Sequence, residues 1–478
     1  MHKLLLGVLI TLAFGLEASH ANVKAKRLNV LLLSIDDLND WTGCLGGHPQ
    51  ARTPNIDRLA KRGTLFANAH CQSPVCNPSR ASLLTGRHPH SSGVYFLGPD
   101  LKQAPALKDL DTLPERFAKF GYRTLAAGKI FHTRDKRFFQ EYGGSLGGFG
   151  PRPKKKISQP HGHPLWDWGA FPEKDEQMPD FKIANWAVNK LKTLPKASDT
   201  PFFMGVGFYR PHVPMFAPKK WFDLFPRDQI KLPLIQEDDR NDLSKYAIAL
   251  TNEKHVSPEH SWVKSAGQWE HAVQSYLASI AFADHCLGMV LDALDASPHK
   301  DNTIVVLFAD HGFHLGEKQR WAKRTIWENG VRVPLIVAAP GHARNQRSTK
   351  PAQLLDIFPT LLELAGLPVD TGQEGRSLVP LMKNPDAKWP HVALSSFGKG
   401  NYAVRSEHFR YIQYLDGSEE LYDHRNDPHE WRNLAGKAAL AMVLQAHRAH
   451  LPRQQAEVLP GNSTGHHAYK AASRLLGN

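Results

Sequence analysis

Apolar runs that end in polar residues recur along the chain and predict strands alternating with helices. Nearly continuous apolar runs, typical of strands buried on both faces of a parallel sheet, lie at 28–35, 122–128, 202–208, 302–309 and 333–340. Segments with helical spacing and suitable first and last residues lie at 53–63, 113–121, 268–296 and 353–366. The pattern therefore predicts an α/β fold built from βα units.

The pattern of apolar and polar residues changes after a predicted domain boundary at 367–385. Short alternating runs at 391–397, 401–406 and 409–415, separated by turn residues, predict a small antiparallel sheet, and a helix is expected at 436–450. The polar tail after Leu451 is expected to be loosely held. We therefore divide the chain into a catalytic domain at 22–375 and a C-terminal subdomain at 376–478.

Residues 1–21 have the three-part pattern of a secretory signal. A basic start at Lys3 is followed by an apolar run from Leu4 to Leu16 and by small residues that end at Ala21. The alternative is a membrane anchor, but this run is shorter than the roughly 20 residues that a spanning helix needs, and no later segment is expected to be long and apolar enough. We expect an exported protein, periplasmic or secreted, without a stable membrane anchor.

The charge of the chain favours an acidic partner. Lys and Arg number 59 against 46 Asp and Glu, a net charge of +13, and there are 26 histidines. No nucleic-acid-binding motif accompanies this charge, so that we expect a polyanion such as a sulfated polysaccharide rather than a nucleic acid. The basic run at 151–156 is interpreted as a solvated loop, with substrate contact as the alternative.

Four cysteines are few for an exported chain of 478 residues, and none forms a CxxC pair. If Cys76 is reserved for chemistry, at most one disulfide can form among Cys44, Cys71 and Cys286. Disulfides are therefore not expected to hold this fold together.

Two predicted strands end in residues that could hold a metal ion. Asp36 and Asp37 follow the first strand, and Asp310 and His311 follow the fourth. Ligands of open α/β sheets gather at the carboxyl ends of the strands, and adjacent buried carboxylates need a cation to neutralise them. The carboxylates suit Ca²⁺ or Mg²⁺, whereas imidazole suits softer metals better. The alternative is a solvated strand end and a histidine that caps a helix.

Cys76 stands two residues before Pro78, which suits the first turn of a helix. Its side chain would then lie at a helix N-terminus, where an anion is favoured, and Arg80 adds a planar cation one turn further on. The alternative is a buried structural thiol beside a surface arginine.

The sequence Cys76-Asn-Pro-Ser-Arg80, followed by Leu84-Thr-Gly86, resembles the signature of the type I sulfatases. The stretches NVLLLSIDD and FADHG and the ending at 420–434 agree with this resemblance, which covers nearly the whole mature chain. It implies that Cys76 is oxidised to formylglycine by a formylglycine-generating enzyme.

Shorter stretches are similar to the iduronate-2-sulfatase branch of that family. GKIFH indicates Lys129 and His132, YRPHVPM indicates His212, and RWAKRT indicates Lys323 as catalytic residues beside Cys76 and Arg80. The metal ligands that the resemblance implies are Asp36, Asp37, Cys76, Asp310 and His311.

The resemblance also implies a fold and a reaction. The large domain is expected to be alkaline-phosphatase-like, with a mostly parallel sheet flanked by helices, beside a small C-terminal α+β subdomain with an antiparallel sheet. The formylglycine hydrate would attack sulfur, and His132 would then take a proton as sulfate is expelled. Arg80 and Lys129 would hold the hydrate, while Lys323 and His212 would grip the sulfate and protonate the departing alcohol.

The expected substrate is a sulfated carbohydrate. The leading expectation is the 2-O-sulfate of iduronate-type uronic acids in glycosaminoglycans, followed by algal glycans such as ulvan or carrageenan. Irregular stretches at 138–179 and 226–269 are expected to contact it. Two alternatives stay open: a phosphodiesterase or phosphonate hydrolase of the same superfamily, and a polyanion-binding protein whose Cys76 is never converted.

Overall fold

Strands and helices alternate along most of the chain, as the hydrophobic pattern predicts. The computed structural model describes residues 27–133, 135–160, 163–195, 200–252, 256–369 and 372–477, so the predicted signal at 1–21 lies outside the described residues. The strands are β1 Asn29–Ile35, β2 Thr64–Phe66, β3 Ala69–His70, β4 Arg123–Gly128, β5 Glu141–Tyr142, β6 Trp168–Ala170, β7 Phe202–Phe208, β8 Met215–Ala217, β9 Thr303–Ala309, β10 His314–Leu315, β11 Trp321–Ala322, β12 Leu335–Ala338, β13 Gln346–Ser348, β14 Ala352–Gln353, β15 Ala393–Ser396, β16 Tyr402–Arg405, β17 Phe409–Gln413 and β18 Glu419–Asp423. The α-helices are α1 Pro54–Arg62, α2 Cys76–Thr85, α3 Pro89–Ser92, α4 Leu113–Lys119, α5 Pro179–Thr193, α6 Lys219–Phe222, α7 Lys245–Thr251, α8 His260–Ser265, α9 Trp269–Asp295, α10 Glu328–Val331, α11 Ile357–Leu364, α12 Val379–Lys383, α13 Ala441–Arg448 and α14 Thr464–Ser473.

The largest sheet has eight strands in the order β13-β2-β12-β9-β1-β7-β4-β5. Its centre, β9-β1-β7-β4, is parallel, and every residue of β1, β7 and β9 is buried. Continuous burial explains why these strands are apolar runs without alternation. The predicted α/β fold with a mostly parallel sheet is confirmed.

Strand β12 departs from this parallel arrangement because it runs antiparallel to both of its neighbours, β9 and β2. The chain leaves β9 at Ala309 and enters β12 at Leu335, with only the four-residue helix α10 as an α-helix in between. A parallel pairing needs a crossover that carries the chain back along the sheet. Because this connection contains no crossover, the chain re-enters the sheet at the edge where it left β9, and β12 runs antiparallel to β9.

Helix α9 packs against α1 and α5 in one layer, whereas α2 contacts α4 and α11 in another. By length and composition α9 could cross a membrane, so the expectation that no later segment is long and apolar enough is wrong for this helix. However, 78% of its most apolar stretch is buried inside the protein. It is therefore a core helix, which needs apolar residues on most of its faces.

The C-terminal part forms the expected antiparallel sheet, in the order β15-β16-β17-β18. Val404, Tyr411 and Leu421 from this sheet pack with Leu444 of α13 in a small core of their own. The α+β character predicted for this part is confirmed, whereas the boundary at 375 stays a prediction.

The chain after Leu451 is not loosely held over its helical part, and that expectation is wrong there. Helix α14 packs against α7, and its residues His466 and Ala472 are 2% and 0% exposed. His466 also lies against the Phe96 ring, with centroids 4.7 Å apart. Burial of one face orders this segment although its composition is polar.

A buried ion network joins the C-terminal sheet to the large domain. Arg410 of β17 is fully buried, forms an ion pair with Glu328 of α10, and places its Nε 2.7 Å from Oε1 of Glu430. Glu430 in turn accepts a hydrogen bond from the Glu328 backbone N–H at 2.8 Å. Arg410 therefore bridges two buried carboxylates, of which Glu328 also pairs with Arg405 at 3.3 Å.

Replacing Arg410 should destabilise the protein strongly. We expect Arg410→Met to lower the free energy of unfolding by about 3–5 kcal/mol, because it removes the one buried cation that Glu328 and Glu430 share. Chemical denaturation at neutral pH measures this value. Arg425→Met is the matched control, since that side chain is 54% exposed in its ion pair with Asp423 and should cost less than about 1 kcal/mol. Equal losses in the two variants would contradict this assignment.

The difference between wild type and Arg410→Met should shrink in acid. Burial opposes ionisation of Glu328 and Glu430, but the arginines around them lower the pKa of both carboxyl groups, most strongly that of Glu328. A carboxyl group with a lowered folded pKa stabilises the protein above its unfolded pKa of about 4.3 and loses this contribution as the pH falls further. Urea denaturation at a series of pH values below about 4.3 should show the two proteins converging, and a constant difference would argue against the pair.

Candidate active site

Three carboxylates meet where β1 and β9 end side by side. Ile35 pairs with Ala309 in the parallel register, so that Asp36 and Asp310 follow at the same edge of the sheet. The backbone N–H of Asp37 donates to Oδ1 of Asp310 at 3.1 Å, and a φ of +63° at Asp37 turns the chain there. All three acidic residues are fully buried. The structure thus brings Asp310 next to Asp36 and Asp37, although more than 270 residues separate them in the sequence.

Cys76 is the first residue of α2 and follows the extended residue Val75. Its Sγ lies 3.2 Å from Nε2 of His311 and 3.2 Å from Nζ of Lys323. Burial by itself would raise the pKa of the thiol, but Lys129 and Lys323 outweigh burial and hold this pKa well below its usual range. Position 76 is therefore a buried position that favours negative charge, in the first turn of a helix.

Arg80, one turn further along α2, ties this helix to the strand ends. Its Nε donates to Oδ2 of Asp310 at 2.9 Å and its Nη2 to Oδ1 of Asp36 at 3.3 Å. Its Nη1 donates to the backbone oxygens of Lys129 and Ile130 at 2.7 and 2.9 Å. The guanidinium therefore neutralises carboxylates and fixes the loop after β4.

Lys129 directly follows β4 and points into the same cluster, where its Nζ donates to Oδ2 of Asp36 at 2.6 Å. Burial would raise the pKa of Asp36, but Lys129 outweighs it and holds this pKa below its usual range. The backbone of Lys129 reaches this position because residue 207 is glycine: a Cβ on Gly207 would lie 2.1 Å from the Lys129 carbonyl oxygen. Glycine at 207 is therefore required for the site.

His132 lies on the same loop and forms a side-chain hydrogen bond with Cys76. Its Nδ1 is buried and has no hydrogen-bond partner in the part of the chain that the structure describes. Burial lowers the pKa of His132, while the bond to Cys76 opposes this shift. The imidazole is therefore able to accept a proton at residue 76.

His212 and Lys323 approach Asp37 from two sides. Lys323 Nζ donates to Oδ1 of Asp37 at 2.6 Å, whereas His212 Nε2 lies 3.9 Å from Oδ2. The ring of Phe149 packs on His212 with centroids 4.6 Å apart, and the Lys129 ammonium lies 5.6 Å from the centre of the same ring. Phe149 belongs to the stretch 138–179, one of the two that were expected to line the substrate.

The donor atoms are arranged as a divalent cation would need them. One atom each from Asp36, Cys76, Asp310 and His311 lie within 4.8 Å of one another, and the same holds for Asp36, Asp37, Cys76 and His212. Oδ2 of Asp37 is buried and has no hydrogen-bond partner among the described residues. A carboxylate oxygen in that position is costly unless a cation binds it, so the residues present fit a hard divalent ion.

His311 is the member of this cluster with the least typical chemistry for such an ion. Its Nε2 lies 3.3 Å from Oδ1 of Asp37 and 3.6 Å from Oδ2 of Asp310. Burial would lower the pKa of His311, but the carboxylate of Asp310 outweighs it and raises this pKa to about 9. The imidazole therefore lies among carboxylates that compensate for its burial.

Several residues that shape the site were not predicted from the sequence. Oxygens of Asp180 accept hydrogen bonds from the backbone N–H groups of Tyr209 and Arg210 at 2.7 and 3.0 Å, which orders the loop that carries His212. Asp135 does the same for the loop of His132, at Ile130 and Phe131. Asp180 looks like an ordinary first-turn acid of α5, and no sequence signal distinguishes it.

The remaining cysteines form no bridge in the described residues. Cys71 and Cys286 are buried, Cys44 is partly buried, and all are free thiols. Burial raises the pKa of all three thiols, to about 11 for Cys44 and well above the usual value for Cys71 and Cys286. Cys76, with its lowered pKa, is therefore chemically distinct from them.

Comparison with known proteins identifies the family of this chain. The family model for sulfatases matches residues 28–367, and that for the C-terminal part of N-sulphoglucosamine sulphohydrolase matches residues 316–457. A sulfatase from Formosa agariphila is 39% identical over 95% of this chain and 92% of its own length. Iduronate 2-sulfatase from Mus musculus is 30% identical over 74% of this chain and 71% of its own length.

The fold is likewise that of solved sulfatases. The structure of a protein described as a 2-O GAG sulfatase covers 88% of this chain and 90% of its own, with a TM-score of 0.67 and 26% identity. The match of the family model extends over more than two thirds of the chain and includes the strand ends, α2 and Lys323. This chain therefore belongs to the sulfatase family and is a sulfuric ester hydrolase.

Proposed function

We propose that this protein is an exported sulfatase that hydrolyses O-sulfate esters of sulfated sugars, with formylglycine at position 76 and a bound divalent cation. The leading substrate is the 2-O-sulfate of a uronic acid in a glycosaminoglycan. The observation that carries the proposal is the position of Cys76: its Sγ lies 3.2 Å from both Lys323 and His311, beside the buried carboxylates.

Asp36, Asp37, Asp310 and His311, together with residue 76, would hold the cation. Because oxygen ligands predominate, this is a hard divalent ion, Ca²⁺ in our proposal with Mg²⁺ as the alternative. Formylglycine, when present, supplies a hydrated aldehyde as nucleophile, and the cation supplies a Lewis acid. The side chain at position 76 extends from the first turn of α2. Its backbone is thereby held rigidly at the strand ends.

The remaining residues bind the sulfate group, donate a proton or neutralise the carboxylates. Lys323 and His212 would grip the sulfate oxygens, since both approach Asp37 next to position 76. Either side chain can donate a proton to the departing alcohol oxygen. Arg80 and Lys129 keep the neighbouring carboxylates ionised and fixed.

His132 is the base in this proposal. Its imidazole is hydrogen bonded to residue 76, and its Nδ1 has no hydrogen-bond partner among the described residues. A neutral imidazole in that position takes a proton from a hydroxyl at residue 76, which is what release of sulfate requires. Burial keeps the imidazole neutral and so available.

The sugar preference rests on relatives and on charge. One relative is named for the 2-sulfate of iduronate and a solved structure for a 2-O-sulfate of glycosaminoglycans, and the net charge of +13 here favours a polyanion. Algal glycans are the second candidate. Export by the segment 1–21 and maturation by a formylglycine-generating enzyme complete the proposal.

Substitution of the nucleophile tests the reaction. Cys76→Ala should abolish release of sulfate from a 2-O-sulfated uronic-acid disaccharide, because no hydrated aldehyde can form. Thermal unfolding should stay close to that of wild type, since the change removes one sulfur atom. Cys44→Ala is the matched control and should keep its activity. Substantial turnover by Cys76→Ala would exclude residue 76 as the nucleophile.

The mass of the peptide that contains residue 76 tests the modification directly. In protein from its native host we expect this peptide to be lighter than the cysteine form by the exchange of SH₂ for oxygen. An unmodified thiol in a host that makes formylglycine would instead support a polyanion-binding protein without turnover.

Removal of one carboxylate tests the cation. Asp37→Ala should lose the divalent metal that elemental analysis finds in the wild-type protein, because Oδ2 of Asp37 is a buried oxygen with no hydrogen-bond partner among the described residues. Asp223→Ala is the control, since its carboxylate is 58% exposed and pairs with Lys219. Equal metal content in both variants would refute the ligand assignment.

A further inference from the structure

The basic loop, residues 151–156, carries positive charge that no acidic side chain of the protein neutralises. Its sequence is PRPKKK, and the segment 142–166 around it contains no Asp or Glu. The side chains of Arg152, Lys154 and Lys155 are exposed, and that of Lys156 is partly exposed. In the part of the chain that the structure describes, none of these four cations forms an ion pair.

The basic loop begins at the wall of the active site. Phe149, two residues before the loop, packs its ring on the His212 imidazole, with centroids 4.6 Å apart. The carbonyl oxygen of Phe149 accepts a hydrogen bond at 2.8 Å from Nη2 of Arg210, which is fully buried. Nη1 of the same guanidinium donates to the carbonyl oxygen of His212 at 3.3 Å. One buried arginine therefore connects the start of the loop to His212.

The basic loop also ends on the segment that carries His212. The backbone N–H groups of Ile157 and Ser158 donate to the buried carboxylate of Asp167 at 3.0 and 2.9 Å. The carbonyl oxygen of Asp167 accepts a hydrogen bond from the N–H of Met215 at 2.9 Å, and β6, which follows Asp167, pairs in parallel with β8. Met215 is three residues after His212. Both ends of the loop are therefore fixed beside the active site.

These two anchors limit how far the cations can lie from the site. No residue of the basic loop is more than four residues from Phe149 or Ile157, and four residues of extended chain span at most about 14 Å. Pro151 and Pro153 restrict the backbone further, because each proline fixes its own φ angle. The cations are therefore held close to sugar units that would neighbour the one at position 76.

Holding these cations together is unfavourable unless an anion binds them. Four like charges within five positions repel one another, and an anchored loop cannot move them apart. The cleaved ester has Lys323 and His212 as its own cations in the proposed function, so it does not need the charge of the loop. Of the two interpretations of the basic run, a solvated loop and a substrate contact, the anchoring and the unneutralised charge favour the second.

We propose that the basic loop binds the sulfate and carboxylate groups of the sugar units next to the one whose ester is cleaved. The enzyme then acts better on a polyanionic chain of several units than on a disaccharide. This inference rests on the proposed function and specifies its substrate class. Single exposed ion pairs are weak, but a row of anions on one chain meets several of these cations at once.

Chain length and salt test this contact. The two substrates are a disaccharide and a hexasaccharide of one glycosaminoglycan, each with one 2-O-sulfate, on its terminal uronic acid. For the wild-type enzyme at low ionic strength we expect kcat/KM to be about tenfold higher for the hexasaccharide, as a few exposed ion pairs would give. Raising the salt concentration from about 0.01 to 1 M shortens the Debye length from roughly 30 to 3 Å, which should bring the ratio of the two kcat/KM values close to one.

Charge variants assign the preference to the loop. Combined replacement of Lys154, Lys155 and Lys156 by Gln should bring the ratio close to one at low salt and leave kcat/KM for the disaccharide near its wild-type value. The matched control removes three exposed cations from the opposite edge of the large sheet, through Lys61→Gln, Lys300→Gln and Arg344→Gln. Lys300 precedes β9, and Arg344 follows the antiparallel strand β12. The control has the same net charge as the loop variant and should keep the wild-type ratio.

The outcomes separate this inference from the proposed function. A wild-type ratio of one, a loop variant that keeps the wild-type ratio, or a control that loses it equally would overturn the inference alone. Equal losses for both substrates in the loop variant would show a structural role and would also overturn it. A wild-type enzyme that carries formylglycine and cleaves neither substrate would overturn the proposed substrate and this inference with it. If the combined variant does not fold, Lys154→Gln and Lys155→Gln decide singly, since each should lower the ratio about twofold.

Discussion

The structure depends on the balance of charge at the carboxyl ends of β1 and β9. Asp36, Asp37 and Asp310 are fully buried there, and each would destabilise the fold if it stayed ionised without a partner. Arg80, Lys129 and Lys323 supply three cations in direct contact with them. These cations come from three different segments, so that the same electrostatic requirement that stabilises the cluster also assembles the site.

The charged cluster explains why a cysteine, Cys76, stands in the first turn of helix α2. A thiol at that position would be inert in an apolar core, as burial makes the other cysteines. Surrounded by Lys129, Lys323 and His311, position 76 instead favours anionic groups. A sulfate ester that approaches it meets positive charge without any rearrangement of the fold, which is how preorganised sites lower reaction barriers.

The C-terminal part is more than an appended subdomain. Arg410 joins its sheet to Glu328 in the segment that follows Lys323, and Thr464 of α14 holds Arg324. Both contacts converge on the stretch between β11 and β12. Ala322, the last residue of β11, and Arg324 in that stretch have positive φ, which a free loop would not keep. The C-terminal residues therefore stabilise the conformation that presents Lys323 to position 76.

The sequence by itself determined the αβ order, the strands that bear Asp36 and Asp310, and the helix that begins at Cys76. These features are local: continuous burial shows in continuous apolar runs, and turn and cap residues lie within a few positions of the elements they end. The family signature added Lys129, His132, His212 and Lys323, which local patterns leave looking like surface residues. Their meeting around position 76 follows from the order of the strands.

Only the tertiary structure decided what depends on contacts across long separations. The antiparallel direction of β12 follows from the absence of a crossover helix, the burial of α9 from its neighbours, and the order of α14 from a surface that other segments supply. Asp180 and Thr464 act through backbone and side-chain partners that no spacing reveals. A hydrogen bond needs both partners in position. The sequence gives the identity of each residue, but only the folded structure shows which two residues come into contact.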